Sequence, residues 1–178
     1  MTLADPTVTS VRTPRAIPAE TLSELRRLDD AGNPMQPYAA NPDGIPIASV
    51  GSPLRCCLRS VQAGDRIALV SYAPLRRWAA QAGARPGAYD EVGPIFIHAD
   101  PCAGPTGSGY PFARTGALRT IRRYDARGHI VGGSGFKIPE DAQEGFAQMI
   151  SEAFHDPQVV LVHVRALEYG CFQFEVRR

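Results

Sequence analysis

Apolar and polar residues alternate along the last twenty residues of the chain, VVLVHVRALEYGCFQFEVRR. A period of two is typical of a strand with one buried face, and the pattern is interrupted once, near Glu168–Gly170. The segment therefore predicts a terminal β-hairpin. One face of this hairpin is expected to carry the polar side chains of His163, Arg165, Gln173 and Glu175.

The register of this hairpin depends on the length of its loop. A four-residue loop would pair Ala166 with Cys171, and a three-residue loop would pair Leu167 with Cys171. The three-residue loop separates apolar from polar residues and places Gly170 at the left-handed position that such loops need. We therefore expect three pairs, Val164 with Phe174, Arg165 with Gln173, and His163 with Glu175.

The rest of the chain contains shorter patterns. Alternation predicts strands at Leu54–Val61, Arg66–Tyr72, Pro94–Ala99, Leu118–Tyr124 and His129–Gly133. Apolar residues at helical spacing predict helices at Pro18–Ala31, Pro74–Ala82 and Pro139–His155. The long Gly32–Pro53 segment, rich in proline, is expected to be a loop and could cover a site.

These elements predict an α+β fold in which hairpins build a largely antiparallel sheet with two or three packed helices. The chain of 178 residues is long enough for one domain with a sizeable core. We expect residues 1–17 to form an extended N-terminal arm and residues 18–178 to form that single domain.

Charge and composition limit the classes of partner. The net charge of +1 gives no electrostatic case for nucleic acid or an anionic membrane. No apolar run approaches the roughly 20 residues of a membrane span, and the N-terminus does not resemble a secretory signal. The four cysteines are therefore expected to be free thiols in a reducing compartment, which predicts a cytoplasmic protein.

Histidine and cysteine residues suggest two kinds of chemistry. His98 and Cys102 have a His-x3-Cys spacing that suits zinc, and Cys57, Cys171 and His163 could join them, although no Cys-x2-Cys pair supports a metal. Cys57, Cys102 and Cys171 each have a basic neighbour that could activate a thiol nucleophile. The commonest role of such cysteines is a small buried apolar group, so the sequence favours no metal.

Arginines on predicted strand faces suggest an anion pocket. Such side chains must be paired with acids, solvated or directed at a ligand, because an unpaired buried charge is costly. Pairing with acids on a solvated sheet face is the simplest account, and a cleft for carboxylate or phosphate is the alternative. The candidate ligand-binding residues are Arg55, Arg59, Arg119 and Arg165.

The chain contains six motifs, PLRCCLR (Pro53–Arg59), Gly64-Asp65, LVSYAPL (Leu69–Leu75), GPIFIHADPC (Gly93–Cys102), LRTIRRYD (Leu118–Asp125) and VHVRALEYGCFQFEV (Val162–Val176). Together these motifs resemble those of the domain of unknown function 1203 family, a set of small bacterial proteins. The resemblance implies a single compact domain and implies no activity.

Three functional hypotheses follow from the sequence. The leading one is a binding or enzymatic site for a small anionic molecule, in which His98 and His163 provide hydrogen bonds or transfer protons. The second is a non-enzymatic domain that binds another protein, and the third is the zinc site. The reaction, any cofactor and the oligomeric state are left open by the sequence.

Overall fold

Seven strands and three α-helices make up the regular structure of the part of the chain that the computed structural model describes, residues 12–43 and 49–178. The helices are α1 (Ala19–Leu25), α2 (Pro74–Ala82) and α3 (Ala142–Ala153). The strands are β1 (Pro37–Ala39), β2 (Arg66–Tyr72), β3 (Gly93–His98), β4 (Leu118–Tyr124), β5 (Ile130–Lys137), β6 (Leu161–Ala166) and β7 (Phe172–Arg177). The expected α+β class is confirmed.

The strands form two antiparallel sheets. The smaller sheet has the order β1-β2-β3, and the larger has the order β5-β4-β6-β7. All pairings within the named strands are antiparallel, as expected. The division into two sheets was not apparent from the sequence.

Strand β6 is buried on both faces. Val162 and Val164 belong to a core cluster that includes Phe146 of α3. Leu161, on the opposite face, belongs to a cluster that includes Trp78 of α2. The face of the terminal hairpin that carries polar side chains is therefore covered by protein, and the expectation that this hairpin has one buried face was wrong.

The register of the terminal hairpin is correct at one end and wrong near the loop. Two expected pairs are confirmed, His163 with Glu175 and Val164 with Phe174. Arg165 lies opposite Phe172 and not Gln173, because the register shifts between Val164 and Arg165. A β-bulge of this kind adds one residue to one strand, which the simple alternation did not anticipate.

The bulge also accounts for the loop. The backbone N–H of Ala166 donates to the carbonyl of Cys171 at 2.9 Å, so the loop has four residues, 167–170, and the predicted three-residue loop was wrong. The extra loop residue is compensated by the bulge, so the apolar faces of the strands still match. Gly170 has the expected left-handed conformation, with φ of +67°.

The segment Leu54–Val61 is a compact loop and not the predicted strand. Its backbone bonds to itself: the N–H of Leu58 donates to the carbonyl of Leu54 at 3.0 Å. Leu58 has φ of +57°, a left-handed conformation that is uncommon for a residue other than glycine. Strand β2 consequently pairs with β1 and β3.

The first helix is shorter than predicted, and the structure describes part of the N-terminal arm. Helix α1 ends at Leu25, whereas the prediction extended it to Ala31. Residues 1–11 of the expected arm lie outside the described residues. Ile17 is buried, and its N–H donates to the carbonyl of Arg55 at 3.0 Å, so the end of the arm packs onto the domain.

The strand Pro37–Ala39 lies within the predicted long loop, of which residues 44–48 are outside the described residues. Among the helices that the structure describes, none is long and apolar enough to cross a lipid bilayer.

Candidate metal centre

Three thiols and one imidazole converge at the end of strand β3. The sulfur atoms of Cys56, Cys57 and Cys102 and a ring nitrogen of His98 all lie within 4.8 Å of one another. His98 Nδ1 lies 3.3 Å from Cys56 Sγ and 3.8 Å from Cys57 Sγ. In a tetrahedral zinc site, bond lengths of about 2.3 Å to sulfur and 2.0–2.1 Å to nitrogen put the ligand atoms roughly 3.5–3.8 Å apart. The cluster is close to that geometry.

Backbone pairing brings the distant segments together. Leu54 forms a parallel bridge with Phe96 of β3, and the N–H of Arg55 donates to the carbonyl of Phe96 at 3.1 Å. This pairing places Cys56 next to His98, whose own N–H donates to Cys56 Sγ at 3.3 Å. The left-handed turn at Leu58 then returns the chain, so the two adjacent cysteines project from the tip of a closed loop.

The cluster lies just below the surface beside a cleft. Cys56 is 1% exposed and Cys57 is 8% exposed, whereas Cys102 is partly exposed. Cys57 and Leu58 form part of the wall of a cleft of about 430 Å³, together with Gly107, Gly109 and Tyr110 of the following loop. A small ion or molecule in the cleft would therefore meet the Cys57 thiol.

An ion pair fixes the outer side of the imidazole. Arg59 forms two hydrogen bonds with Asp65, at 2.8 and 3.1 Å, and its Nη2 lies 2.9 Å from His98 Nε2. The guanidinium can only donate, so Nε2 accepts here and Nδ1 carries the proton that faces the thiols. The hydrogen bond from Arg59 lowers the pKa of Asp65, which keeps this carboxylate ionised.

The thiols of the adjacent residues Cys56 and Cys57 have opposite pKa shifts. The hydrogen bond from the Cys56 thiol, assisted by the backbone N–H and the positive charge of Arg59, lowers the pKa of Cys57 to about 6. The same contact with Cys57, together with burial, raises the pKa of Cys56. Cys57 is therefore the thiolate of the pair at neutral pH.

Arg55 is a buried cation behind the cluster. It is 3% exposed, its Nε donates to the carbonyl of Phe172 at 2.8 Å, and it also bonds the carbonyl of Pro53. No carboxylate in the described part of the chain forms an ion pair with it. Burial lowers the pKa of Arg55 to about 10, and the neighbouring thiols of Cys171 and Cys56 counteract this shift, so the guanidinium is charged at neutral pH.

The four arginines proposed for one anion cleft have different partners. Arg59 pairs with Asp65, and Arg165 pairs with Glu91. Arg55 and Arg119 bond backbone carbonyls, in the case of Arg119 those of Leu118 and Phe112. Each of these four guanidinium groups is therefore held by its own set of partners.

His163 and Cys171 lie away from the metal-ligand cluster. His163 is fully buried between the rings of Tyr124 and Phe172, and its Nε2 is 3.8 Å from Glu175 Oε2. Burial lowers the pKa of His163, so the imidazole is neutral. Cys171 begins the return from the hairpin loop, where its thiol faces the carbonyl of Tyr169.

The sequence reasoning identified three of the clustered residues and missed one. His98 and Cys102 were considered as ligands, with Cys57, Cys171 and His163 as possible additions, but Cys56 was not named as a candidate. The sequence feature that could have identified Cys56 is the pair of adjacent cysteines. In a strand, adjacent side chains point to opposite faces, whereas in the observed loop both sulfurs lie on one side of His98.

The fold and this cluster define an α+β domain that carries a Cys₃His group between a loop and a strand end. A family model described as protein of unknown function (DUF1203) matches residues 51–178, which include all four clustered residues. The chain belongs to this family. No curated protein and no solved structure matches the chain.

Proposed function

We propose that this protein binds one soft metal ion, with Zn²⁺ as the best fit, through Cys56, Cys57, His98 and Cys102. The observation that carries the proposal is the convergence of four ligand atoms within 4.8 Å. Thiolate and imidazole ligands suit Zn²⁺ and, among redox-active ions, Cu⁺, whereas Mg²⁺ and Ca²⁺ prefer oxygen. Four protein ligands are typical of a closed site that holds a structure together.

The charges around the cluster support this proposal. Zn²⁺ with three thiolates and a neutral imidazole has a net charge of −1. Arg55 is a buried guanidinium near Cys56 that lacks a carboxylate partner among the described residues. Its positive charge would offset the excess negative charge of the loaded site, which gives this buried cation an electrostatic purpose.

Metal binding at His98 requires a change of tautomer. The Nδ1 atom must lose its proton to act as a ligand, and the proton of the neutral ring then sits on Nε2. Asp65 Oδ2 lies 3.9 Å from Nε2 and can accept this proton in a hydrogen bond after a small movement of Arg59. Asp65 would then orient the imidazole, as carboxylates that accept a hydrogen bond from a zinc-binding histidine do in many zinc sites.

A bound metal ion would cross-link three segments of the chain. The loop that follows Leu54 holds two ligands, β3 ends in the third, and Cys102 begins the loop that borders the cleft. A bound ion would join these three segments, so we propose that it fixes the shape of the cleft. The proposal assigns no reaction to the cleft.

The test is metal analysis of protein prepared without a histidine tag, a chelator or added metal. About one equivalent of zinc is expected, and Cys102→Ser is expected to lower the zinc content well below stoichiometry. Cys171→Ser is the matched control, because it removes a partly exposed thiol outside the cluster and should retain the metal. Substitution with Co²⁺ should give the absorption of a tetrahedral thiolate complex in the parent protein and in Cys171→Ser, and not in Cys102→Ser.

Equal zinc content in Cys102→Ser and in the unchanged protein would refute the proposal, as would substoichiometric metal in both after titration with Zn²⁺ under reducing conditions. Circular dichroism of the metal-free proteins separates loss of ligand from loss of fold. The spectrum of metal-free Cys102→Ser is expected to match that of the metal-free parent.

A further inference from the structure

A second cluster of charges lies on the larger sheet. Arg122 of β4 is paired with His163, and Thr120 of the same strand is paired with Arg165 of β6. Arg122 and Arg165 are therefore diagonal neighbours on one face, at a separation that long side chains can bridge. Together they present two guanidinium groups towards the loop that precedes β3.

One carboxylate serves both guanidinium groups. Both oxygens of Glu91 lie 2.8 Å from Arg122 Nη1, and Arg165 Nη2 contacts Glu91 Oε1. Burial would raise the pKa of Glu91, but the hydrogen bond from Arg122 and the charge of Arg165 outweigh it and lower the pKa overall. The group thus has two positive charges and one negative charge, which leaves a charge of +1.

Arg165 has hydrogen-bonding capacity to spare. Only 7% of the residue is exposed, and its Nη1 donates to the carbonyl of Gly170 at 2.8 Å. Its Nε has no hydrogen-bond partner among the described residues, although it is shielded from solvent. Nη1 and Nη2 each carry two N–H groups, so Arg165 can donate further hydrogen bonds to a ligand oxygen beside its contacts with Gly170 and Glu91.

These side chains line a cavity of about 280 Å³. Tyr72 and Phe172 provide aromatic walls, and Tyr169 and Cys171 border it from the hairpin loop. The Glu91 side chain is 37% exposed, so the carboxylate lies at the opening of the cavity and not at its base. The volume suits a molecule of a few carbon atoms, below the range of drug-sized ligands.

We propose that this cavity binds a small organic carboxylate, with Arg122 and Arg165 as the anion-binding residues and Glu91 as an internal carboxylate that occupies part of the site. The guanidinium groups already hold a carboxylate, which is the planar anion that arginine recognises through paired hydrogen bonds. The apolar walls favour a ligand with a short carbon skeleton over a bare inorganic anion. This site is independent of the metal cluster.

The experiment is a titration of ¹⁵N-labelled protein, followed by two-dimensional NMR, with sodium succinate, sodium acetate, inorganic phosphate and sodium chloride at matched ionic strength. Carboxylates are expected to shift the backbone signals of residues around the cavity, such as Gly93, Gly170 and Phe172. Glu91→Gln is expected to tighten carboxylate binding, because it removes the internal competitor and one negative charge. Arg122→Gln is expected to weaken binding by at least about tenfold, as the loss of a charge-assisted hydrogen bond predicts.

Arg127→Gln is the matched control, because Arg127 is an exposed arginine that pairs with Asp125 and does not line the cavity. It should leave carboxylate binding unchanged. Shifts of equal size with chloride, or equal carboxylate affinity in Glu91→Gln and Arg122→Gln, would overturn the proposal. Binding of phosphate without binding of either carboxylate would overturn the assigned ligand class. Each spectrum also reports whether the variant is folded.

Discussion

The imidazole Nδ1 of His98 lies 3.3 Å from the sulfur of Cys56, although 42 positions separate the two residues. The contact joins the end of β3 to a loop with no regular secondary structure, and it places the imidazole beside both adjacent thiols. His98 and Cys56 are two of the four ligands of the proposed metal site. The side chains that orient the imidazole, Asp65 and Arg59, must therefore affect the affinity for the metal.

Asp65→Asn is expected to weaken Zn²⁺ binding by roughly 10- to 100-fold, the usual effect of removing a carboxylate that accepts a hydrogen bond from a metal-binding histidine. The amide cannot stabilise the Nε2 proton of His98 as a carboxylate does. Competition with a chromogenic zinc chelator measures the change. Asp100→Asn, which alters an exposed ion pair with Arg66, should have the affinity of the parent, and equal affinities in all three proteins would contradict the role of Asp65.

Stability should fall at mildly acidic pH because of His163. Burial holds its pKa below the value of about 6.5 in an unfolded chain. As the pH falls below 6.5, the unfolded chain binds a proton that the folded protein refuses, so the free energy of unfolding decreases by up to about 1.4 kcal/mol per pH unit. Well above pH 6.5, where the imidazole is neutral in both states, the residue makes no pH-dependent contribution.

Urea unfolding at pH 7.5 and pH 5.5 measures this effect. His163→Phe is expected to reduce the pH dependence, because the new ring can pack between Tyr124 and Phe172 and does not titrate. His155→Gln alters an exposed histidine and should keep the pH dependence of the parent. An unchanged slope in His163→Phe would show that other groups cause it.

Phe146→Ala is expected to lower the free energy of unfolding by about 3–5 kcal/mol. Phe146 is fully buried and contacts the rings of Tyr110, Phe136 and Phe174, so truncation leaves a cavity between α3 and the larger sheet. Tyr169→Ala removes an aromatic ring that is 86% exposed and should change stability by less than about 0.5 kcal/mol. Chemical denaturation compares the two, and similar losses would contradict this account of the core.

Gly170→Ala is expected to cost about 1 kcal/mol, because φ of +67° is unfavourable for a residue with a Cβ atom. The space around the new methyl group is open, so the loss reports on backbone conformation alone. Gly135→Ala in β5 also has open space and lacks a positive φ, and it should be neutral or slightly stabilising. Thermal unfolding distinguishes the two variants. An unchanged stability in Gly170→Ala would show that the left-handed conformation at this position is not unfavourable for alanine.

Much of the fold could be predicted because local patterns dominate it. Helix α2 occurs at the predicted residues, and β4 and β5 pair as a hairpin that includes the predicted strands Leu118–Tyr124 and, from Ile130 on, His129–Gly133. The segment Leu54–Val61 was mispredicted because its alternation resembles that of a strand, while its backbone closes on itself through Leu58. Alternation with a period of two describes how side chains are spaced along a segment. It does not show which other segment the backbone forms hydrogen bonds with.

The sites were harder to predict because both depend on contacts between distant segments. The position of Cys56 relative to His98 follows from a single parallel bridge between Leu54 and Phe96, which no sequence pattern indicates. Glu91 was not considered as the partner of Arg165, because it lies in an irregular loop 74 positions away. The bulge near Arg165 likewise arises where two strands meet, and neither strand reveals it alone.

Arg55 links the two sheets, because it forms one hydrogen bond to a strand of each sheet. Its backbone bonds β3 in the smaller sheet, and its side chain bonds the carbonyl of Phe172 at the start of β7 in the larger one. A metal ion bound to the adjoining residues Cys56 and Cys57 would hold the loop from which this guanidinium extends. By thermodynamic linkage, metal binding would then suppress local opening of the terminal hairpin, and the amide of Phe172 would exchange with deuterium more slowly in the loaded protein.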